Sequence, residues 1–355
     1  MKTLKLLSGL ALLLMLCGTN ISRAGEDFTK KIHQDFTTNE NTTFEFSNKY
    51  GDVNIKDWDK KMITIDITIK IENTDKSDAD DFFKNVNITF SNVADVVKAV
   101  TDFEKSIHNE KFSIDWEVSM PKNIKLNATN KYGNLFINEM TGYSIINVKY
   151  GTLKVNKLLT GDTKPRSEVN LGYSNGSIKE CNWLKLSIEY SKIDVDKSDA
   201  LIIVSKYSKL NIDKCNSIVC ESKYDTPFKV GTVRNFVCEG KYSSYKIEKL
   251  SGKLDINAKY SDIKVDEMDN EFESATIDLS YGQAKINFSD KASYQLKAYA
   301  NYGDIHFPDN ENISQIKNNS STTISGTVGT NKSTKAFVNV NARYSDVNLK
   351  KSNDD

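Results

Sequence analysis

Apolar and polar residues alternate along most of this chain, in short runs that flank a tyrosine. Around Tyr190, the stretch LKLSIEYSKIDV (184–195) places Leu, Leu and Ile at alternate positions before the tyrosine and Ile and Val at alternate positions after it. An alternation with a period of two predicts β-strands that bury one face. The Gly or Ser that follows each tyrosine predicts a bend between two strands.

These tyrosines recur at intervals of 17 to 23 residues, followed by a last interval of 42, which is twice 21. A unit of this length holds two short strands and cannot bury its apolar face alone, so the units are expected to coil onto one another. The sequence therefore predicts an all-β fold, a parallel β-helix (β-solenoid) with rungs of about 17–21 residues and a β-rich N-terminal cap. The tyrosines would stack as a structural ladder at one corner: Tyr132, Tyr150, Tyr173, Tyr190, Tyr207, Tyr224, Tyr242, Tyr260, Tyr281, Tyr302 and Tyr344.

The residue before many of these tyrosines is basic and is expected to point outward. Like charges stacked at the spacing of one rung repel one another, so this row is either well solvated or matched by acids such as Asp52, Asp262, Asp304 and Asp346. The other interpretation is a surface binding stripe for an anionic polymer. Its members are Lys131, Lys149, Lys206, Lys223, Lys241, Lys259 and Arg343, and Lys49 precedes the related tyrosine at position 50.

The first residues have the pattern of a secretory signal. Lys2 and Lys5 precede an apolar run that ends at Cys17, and small residues flank Arg23 before a predicted cleavage after Ala24. The predicted organisation is a signal peptide (1–24), a cap with one short helix (25–125), solenoid repeats (126–350) and a frayed tail (351–355). An irregular Asn/Ser/Thr-rich loop is expected at about 308–336, after which the last repeat closes the rod. A lipid anchor at Cys17 is the alternative to cleavage.

Export and charge limit the partners. Cleavage after residue 24 would leave 45 basic and 48 acidic residues, a net charge near −3, because two Lys and one Arg are lost from balanced totals. This balance argues against a nucleic-acid partner. No apolar stretch after the signal is long enough to predict a transmembrane helix. We expect an exported protein in the periplasm, on the outer-membrane surface or outside the cell.

The sequence offers little catalytic or metal chemistry. The three histidines, at positions 33, 108 and 306, are far apart, so no catalytic site, metal ion or cofactor is predicted. GYSNG (172–176) matches the Gly-x-Ser-x-Gly pattern of hydrolases but lies at a tyrosine bend rather than before a helix. Cys220 and Cys238 both stand four residues before a tyrosine, on adjacent rungs. They form either a disulfide or a pair of stacked thiols.

The chain resembles a known family in three places. NKYGDVNIKDWDKKMITIDITIKIE (48–72), WEVSMPKNIKLNATNKYGNLFI (116–137) and the later Lys-Tyr-Gly/Ser repeats are similar to bacterial exported β-strand-repeat proteins that are catalogued as putative adhesins of unknown function. The resemblance implies an exported β-helix without known enzymatic activity. We expect a non-enzymatic adhesin-like or interaction protein of the cell envelope that binds a glycan, an anionic polymer or an envelope protein. The alternatives are a β-helix carbohydrate-active enzyme and an envelope-stress accessory protein that binds another protein.

Overall fold

The computed structural model of the chain describes residues 26–107, 110–161, 166–308 and 312–351. The predicted signal peptide, the alternative lipid anchor at Cys17, the histidine at 108 and most of the predicted tail lie outside these residues. The described chain is almost entirely β-structure, with 26 strands and one helix. This agrees with the all-β solenoid predicted from the repeat.

The N-terminal part of the chain contains seven strands and the helix. They are β1 (Glu26–Thr37), β2 (Thr43–Lys49), β3 (Val53–Asp57), β4 (Met62–Thr74), α1 (Lys76–Asn85), β5 (Val86–Val93), β6 (Val96–Phe103) and β7 (Lys111–Met120). The alternating strand β4 pairs in antiparallel fashion with β1 on one side and β7 on the other. Asp75 caps α1, since its side chain accepts a hydrogen bond from the backbone N–H of Asp78, and Phe82 on the helix is buried.

The middle of the chain forms the regular rungs. Their strands are β8 (Lys125–Lys131), β9 (Leu135–Met140), β10 (Ser144–Lys149), β11 (Thr152–Leu158), β12 (Ser167–Gly172), β13 (Asn175–Glu189), β14 (Lys192–Lys206), β15 (Lys209–Lys223), β16 (Phe228–Lys241), β17 (Ser244–Lys259), β18 (Asp262–Met268), β19 (Ser274–Ser280) and β20 (Gln283–Phe288). Neighbouring rungs pair in parallel, and β13 to β17 each run from one tyrosine bend to the next.

The segments that follow the tyrosines stack into one parallel ladder, and the segments that precede them stack into a second. The two ladders face each other across the core. Phe228 of the first contacts Phe236 of the second, with ring centroids 5.9 Å apart. Inward residues at alternate positions are buried on both sides, as in Leu201, Ile203 and Ile212. Burial of these apolar side chains is the main force that holds one rung on the next.

At the N-terminal end, the first tyrosine rung is second in the stack. Strand β2 lies between β6 and β8, and β3 lies between β7 and β9. Residues 43–57 therefore already form a rung of the solenoid, although the sequence assigned them to the cap. Beyond this rung lie its parallel neighbours β7 and β6, followed by the antiparallel strands β4 and β1 on one ladder and β5 on the other.

At the C-terminal end too, the order of the rungs in space differs from their order in the sequence. Its strands are β21 (Tyr294–Asn301), β22 (Ile305–His306), β23 (Ile313–Asn318), β24 (Ser321–Val328), β25 (Phe337–Arg343) and β26 (Asp346–Lys351). Strand β25 lies between β19 and β21, and β26 lies between β20 and β22. The last repeat of the sequence is thus inserted between the two repeats that precede it.

Two expectations for this end are wrong. The last repeat does not close the rod, because the rung of β21 and β22 lies outside it. The segment predicted as an irregular loop contains β23 and β24, an antiparallel hairpin that covers β21. The hairpin forms because Thr322, Ile324 and Val328 alternate as buried residues within an otherwise polar stretch.

Where serine follows the tyrosine, its hydroxyl forms hydrogen bonds with buried backbone groups inside the bend. The N–H of Ser174 donates to Oγ of Ser191 (3.1 Å), and that hydroxyl donates to the carbonyl oxygen of Glu189 (2.7 Å). Where glycine stands instead, the rungs are too close for a side chain. A Cβ on Gly151 would lie 1.9 Å from the carbonyl oxygen of Gly133. At this rung the absence of a Cβ is therefore a packing requirement.

Asp225 replaces the serine in one rung and places a carboxyl group inside the protein. It is fully buried, and it accepts hydrogen bonds from the backbone N–H of Ser208 (2.8 Å) and from the hydroxyls of Ser205 (2.5 Å) and Ser222 (2.7 Å). Burial raises the pKa of the Asp225 carboxyl, and the hydrogen bonds from the two serines act in the opposite direction.

We expect Asp225→Asn to change how stability depends on pH. The folded protein retains the Asp225 proton at a higher pH than the unfolded chain, whose Asp pKa is about 4. This carboxyl therefore lowers the stability of the wild type as pH rises from that value through the raised folded pKa. The melting temperature of Asp225→Asn minus that of the wild type should increase across this window. A difference that stays constant or decreases would show that the pKa is not raised.

Candidate functional site

The tyrosines form one continuous surface feature, here called the tyrosine edge. Twelve tyrosines occupy the same corner of twelve rungs, and each has a left-handed backbone, with φ between 48° and 63°. Their order in space is Tyr50, Tyr132, Tyr150, Tyr173, Tyr190, Tyr207, Tyr224, Tyr242, Tyr260, Tyr281, Tyr344 and Tyr302. At one rung per strand spacing, the edge is roughly 55 Å long.

The rings of the tyrosine edge are stacked and half exposed. Successive centroids are 4.8 to 5.2 Å apart, and the planes differ by 1° to 17°. The exposed fractions run from 38% at Tyr50 to 57% at Tyr302. The sequence did not predict whether the tyrosine ladder faces inward. In the structure its rings lie at the surface. Each inner ring is covered on its faces by its neighbours, which leaves mainly ring edges and hydroxyl groups for solvent.

Stacking and backbone hydrogen bonds offset an unfavourable backbone conformation at each tyrosine. A left-handed residue other than glycine is disfavoured by about 1–2 kcal/mol. The N–H of Tyr207 donates to the carbonyl oxygen of Lys223 on the next rung (3.0 Å), and the other rungs repeat this bond. Offset-stacked aromatic pairs contribute about 0.5–1.5 kcal/mol each. The tyrosine edge is therefore part of what holds the rungs in register.

A row of cations runs beside the tyrosine edge and is here called the lysine row. It consists of the basic residue that ends the strand before each tyrosine: Lys49, Lys131, Lys149, Lys206, Lys223, Lys241, Lys259 and Arg343. Lys49 pairs with Asp102 (3.4 Å) and Lys206 pairs weakly with Glu189 (3.9 Å). The other six form no ion pair with any described residue.

Two of the four acids that could have matched the lysine row have other contacts. Asp52 accepts hydrogen bonds from the backbone and side-chain nitrogens of Asn134. Asp346 accepts one from the backbone N–H of Asp304. These acids follow their tyrosines, whereas the lysines precede them, so the tyrosine edge separates the two sets. The cations of the row consequently remain available to an external anion.

Four rungs lack a basic residue before the tyrosine: Gly172 and Glu189 occupy this position on two adjacent rungs, and Ser280 and Asn301 occupy it near the C-terminal end. A groove of about 540 Å³ opens around Gly172 and Glu189 and is here called the Gly172 groove. Its floor consists of the residues three positions before each tyrosine. They are neutral and polar on four rungs, and the fifth rung has the exposed Val204: Thr129, Asn147, Asn170, Ser187 and Val204. Lys131, Lys149 and Lys206 flank this floor. A Cβ on Gly172 would make only ordinary van der Waals contact with the side chain of Lys149, at 3.5 Å or more, so a side chain fits at this position.

The four described cysteines are free and buried. Cys220 and Cys238 are direct partners on β15 and β16, as the sequence spacing indicated. Burial raises the pKa of the Cys220 thiol and raises the pKa of Cys181 to about 12. A thiol with a raised pKa is a poor nucleophile. These side chains therefore act as small apolar residues of the core.

Within the part of the chain that the structure describes, no group of three or more His, Cys, Asp or Glu residues could hold a metal ion. No helix in the described ranges is long and apolar enough to span a membrane.

Sequence reasoning recognised the motif NKYGDVNI and Lys49 as related to the repeats but assigned their rung to the cap. In the structure, Tyr50 belongs to the tyrosine edge and Lys49 to the lysine row. The Gly172 groove was missed, and its signal was the glycine at a position where most repeats carry lysine.

Comparison with known proteins confirms the resemblance noted from the sequence. Residues 235–350 match the Toastrack DUF4097 family. A putative adhesin from Bacteroides fragilis is 10% identical and has a TM-score of 0.35, with 91% of this chain and 97% of that chain covered. A putative adhesin from Parabacteroides merdae is 15% identical, with a TM-score of 0.34 and coverage of 92% and 96%.

A putative lipid binding protein from Parabacteroides distasonis is 10% identical, with a TM-score of 0.33 and coverage of 92% of this chain and 97% of that chain. No protein with curated function matches the sequence.

Proposed function

We propose that this protein, a Toastrack-family chain over residues 235–350, is an exported, non-enzymatic, adhesin-like protein of the bacterial cell envelope. Its ligand is an extended anionic polymer that lies along the tyrosine edge. The observation that carries the proposal is the lysine row, in which six cations of a near-neutral chain stand on one line and form no ion pair within the part of the chain that the structure describes. A segregated line of charge of this kind attracts an extended ligand of opposite charge.

The spacing of the rungs explains why the lysine row favours a polymer. Lys206, Lys223, Lys241 and Lys259 occupy four successive rungs, about 4.8 Å apart along the rod. Two unit charges at about 4 Å repel by about 1 kcal/mol even in bulk water. A bound chain of anions would remove this repulsion at several rungs at once. A single small anion would remove it at one rung only.

The tyrosine edge adds to the attraction for anions. An aromatic ring has a negative face and a positive edge. Because the inner rings cover one another's faces, the polymer would meet ring edges and hydroxyl donors. A sugar ring has no free tyrosine face to stack on along the inner part of the edge. The geometry therefore favours recognition of charge over stacking of sugars on aromatic faces.

The best hydrolase-like motif has a structural role, which supports the non-enzymatic assignment. Ser174, the serine of the Gly-x-Ser-x-Gly pattern, is buried, and its hydroxyl donates to the carbonyl oxygen of Gly172 (2.8 Å). It also accepts the backbone N–H of Gly151 (3.3 Å). The hydroxyl is thus committed to the bend, as in the neighbouring rungs.

Neutralising part of the lysine row should weaken binding without unfolding the protein. For Lys223→Gln, Lys241→Gln and Lys259→Gln combined, we expect at least about tenfold weaker binding to polygalacturonate at low ionic strength. The side chains are exposed and keep their alkyl stems, so the melting temperature should not fall. Titration calorimetry at low and physiological salt measures the effect, and wild-type binding should weaken as salt rises.

The matched control changes three lysines of the same rungs on the other ladder. Lys229→Gln, Lys246→Gln and Lys264→Gln combined remove the same charge from β16, β17 and β18, after the tyrosines. This control should bind within about twofold of the wild type, since Lys246 and Lys264 already pair with Asp266. Equal losses in both triple variants would indicate non-specific charge attraction and contradict the proposal. Binding to anionic vesicles but to no soluble polymer would also contradict it.

A further inference from the structure

We infer that the Gly172 groove recognises an acidic linear polysaccharide, a chain of sugars that carries both carboxylates and hydroxyls. This inference rests on the proposed function and names its ligand class and its specific subsite. The groove adjoins five successive rungs, from that of Tyr132 to that of Tyr207. At one rung per strand spacing it is about 20 Å long, enough for a short oligosaccharide.

The floor of the groove can both donate and accept hydrogen bonds. The amide nitrogen of Asn170 donates to Oδ1 of Asn147 (2.9 Å), and the amide nitrogen of Asn147 donates to Oγ1 of Thr129 (3.3 Å). This chain of bonds leaves Oδ1 of Asn170 as an acceptor and the hydroxyl of Thr129 as a donor. Ser187, on the next rung, makes no side-chain hydrogen bond to any part of the chain that the structure describes.

These groups discriminate between classes of anionic polymer. A sugar hydroxyl both donates and accepts, so it can satisfy Oδ1 of Asn170 and the hydroxyl of Ser187. An ionised phosphate chain has only acceptors and would leave the Asn170 oxygen without a donor, which is unfavourable once water is displaced. The flanking cations are lysines, which act as point charges on a carboxylate, rather than the arginines that match phosphate bidentately. The floor and the flanks together fit an acidic sugar chain.

Gly172 makes the groove wide enough for such a chain. At this position four rungs carry a lysine side chain on the same row, in addition to the three that flank the groove at Lys131, Lys149 and Lys206. The backbone of Gly172 lies outside the left-handed region, and a Cβ there would contact only the flexible side chain of Lys149, at 3.5 Å or more. A larger residue can therefore be accommodated by the fold, and it would fill the groove.

The decisive experiment substitutes lysine for Gly172 and compares it with a control in the same row. Gly172→Lys adds a positive charge but fills the groove, whereas Ser280→Lys adds the same charge before Tyr281, away from the groove. Titration calorimetry with tetragalacturonic acid should show roughly tenfold weaker binding for Gly172→Lys, and unchanged or slightly tighter binding for Ser280→Lys. A simple polyanion stripe would instead bind tighter in both variants, and that result overturns the inference.

A second variant keeps the inference testable if Gly172→Lys fails to fold. Glu189 places a carboxylate at the end of the groove, 3.9 Å from the ammonium of Lys206. Glu189→Gln removes its repulsion for an acidic ligand and should tighten binding of tetragalacturonic acid about threefold. Unchanged affinity would contradict the inference.

Two further ligands separate this inference from the proposed function. Neutral cellotetraose should bind at least about tenfold more weakly than tetragalacturonic acid, because it lacks the carboxylates that meet the lysines. If a short linear polyphosphate binds more tightly than tetragalacturonic acid, the sugar assignment is wrong while the proposed function stands. If no anionic polymer binds the wild type, both are wrong.

Discussion

Replacing Tyr207 with alanine is expected to destabilise the protein by about 2–4 kcal/mol, and replacing it with glycine should destabilise it less. Alanine removes two stacked contacts, with Tyr190 and Tyr224, each of which contributes about 0.5–1.5 kcal/mol beyond burial. It also leaves a Cβ in a left-handed backbone, whose strain of about 1–2 kcal/mol glycine relieves. Glycine in a strand is normally the worse substitution, so the reversed order is specific to this corner.

Thermal unfolding of Tyr207→Ala, Tyr207→Gly and Tyr207→Phe measures these effects. The phenylalanine variant is the control, because it keeps the stacked ring and removes only the hydroxyl. We expect its melting temperature to stay near that of the wild type and the alanine variant to melt several degrees lower. If alanine and glycine melt together with the wild type, the tyrosine edge contributes nothing to the stability of the rungs.

Deleting residues 337–355 should also expose strands that remain in the chain. Strands β25 and β26 lie between the rung of β19 and β20 and the outermost rung of β21 and β22. Their removal takes away the parallel partner of β21 and opens the edges of β19 and β20. We expect residues 294–328 to lose their protection from hydrogen exchange although they remain in the chain. The newly exposed strand edges should also promote aggregation.

Hydrogen exchange measured by mass spectrometry distinguishes this arrangement from a solenoid whose rungs follow sequence order. In sequence order, the deleted rung would be the last layer, and peptides from residues 294–328 would keep their protection. Peptides from residues 192–223, in the middle of the rod, should exchange equally slowly in the full and truncated proteins and serve as the internal control. Retained protection at the C-terminal end would contradict the inserted rung.

The repeat pattern predicted the solenoid and the tyrosine ladder for a physical reason. When a motif recurs at the length of one rung, equivalent residues lie one strand spacing apart, which is also a favourable distance for offset-stacked rings. The pairing of Cys220 with Cys238 followed from the same register. What the repeat could not predict is whether the rings are buried, because that depends on the left-handed backbone at each tyrosine.

The order of the rungs at the two ends could not be predicted either. Every repeat carries nearly the same motif, so any two rungs can be neighbours as far as local pattern is concerned. The interval of 42 residues before Tyr344 is equally consistent with a rung that lacks a tyrosine and with a last rung that is inserted between earlier ones. Only the pairing of β25 with β19 and β21 decides between them. The same ambiguity hid the rung of Tyr50 inside the predicted cap.

The Gly172 groove shows how a departure from a repeat can carry more information than the repeat itself. Lysine before tyrosine is the rule along the rod, and the rule predicts a uniform row. Gly172 and Glu189 break the rule on adjacent rungs, and the row opens into a groove at these rungs. Asn147 and Asn170 are neighbours in the floor of the groove because β10 and β12 pair in this register.

The most direct test of a ligand-binding tyrosine edge is a lysine footprint. The protein would be acetylated with a limiting reagent, with and without polygalacturonate, and the modification of each lysine would be quantified by mass spectrometry. We predict protection of Lys131, Lys149, Lys206, Lys223, Lys241 and Lys259, and none at Lys179, Lys197 or Lys214 on the other ladder. Protection of the second set, or equal protection of both, would contradict the assignment of the site.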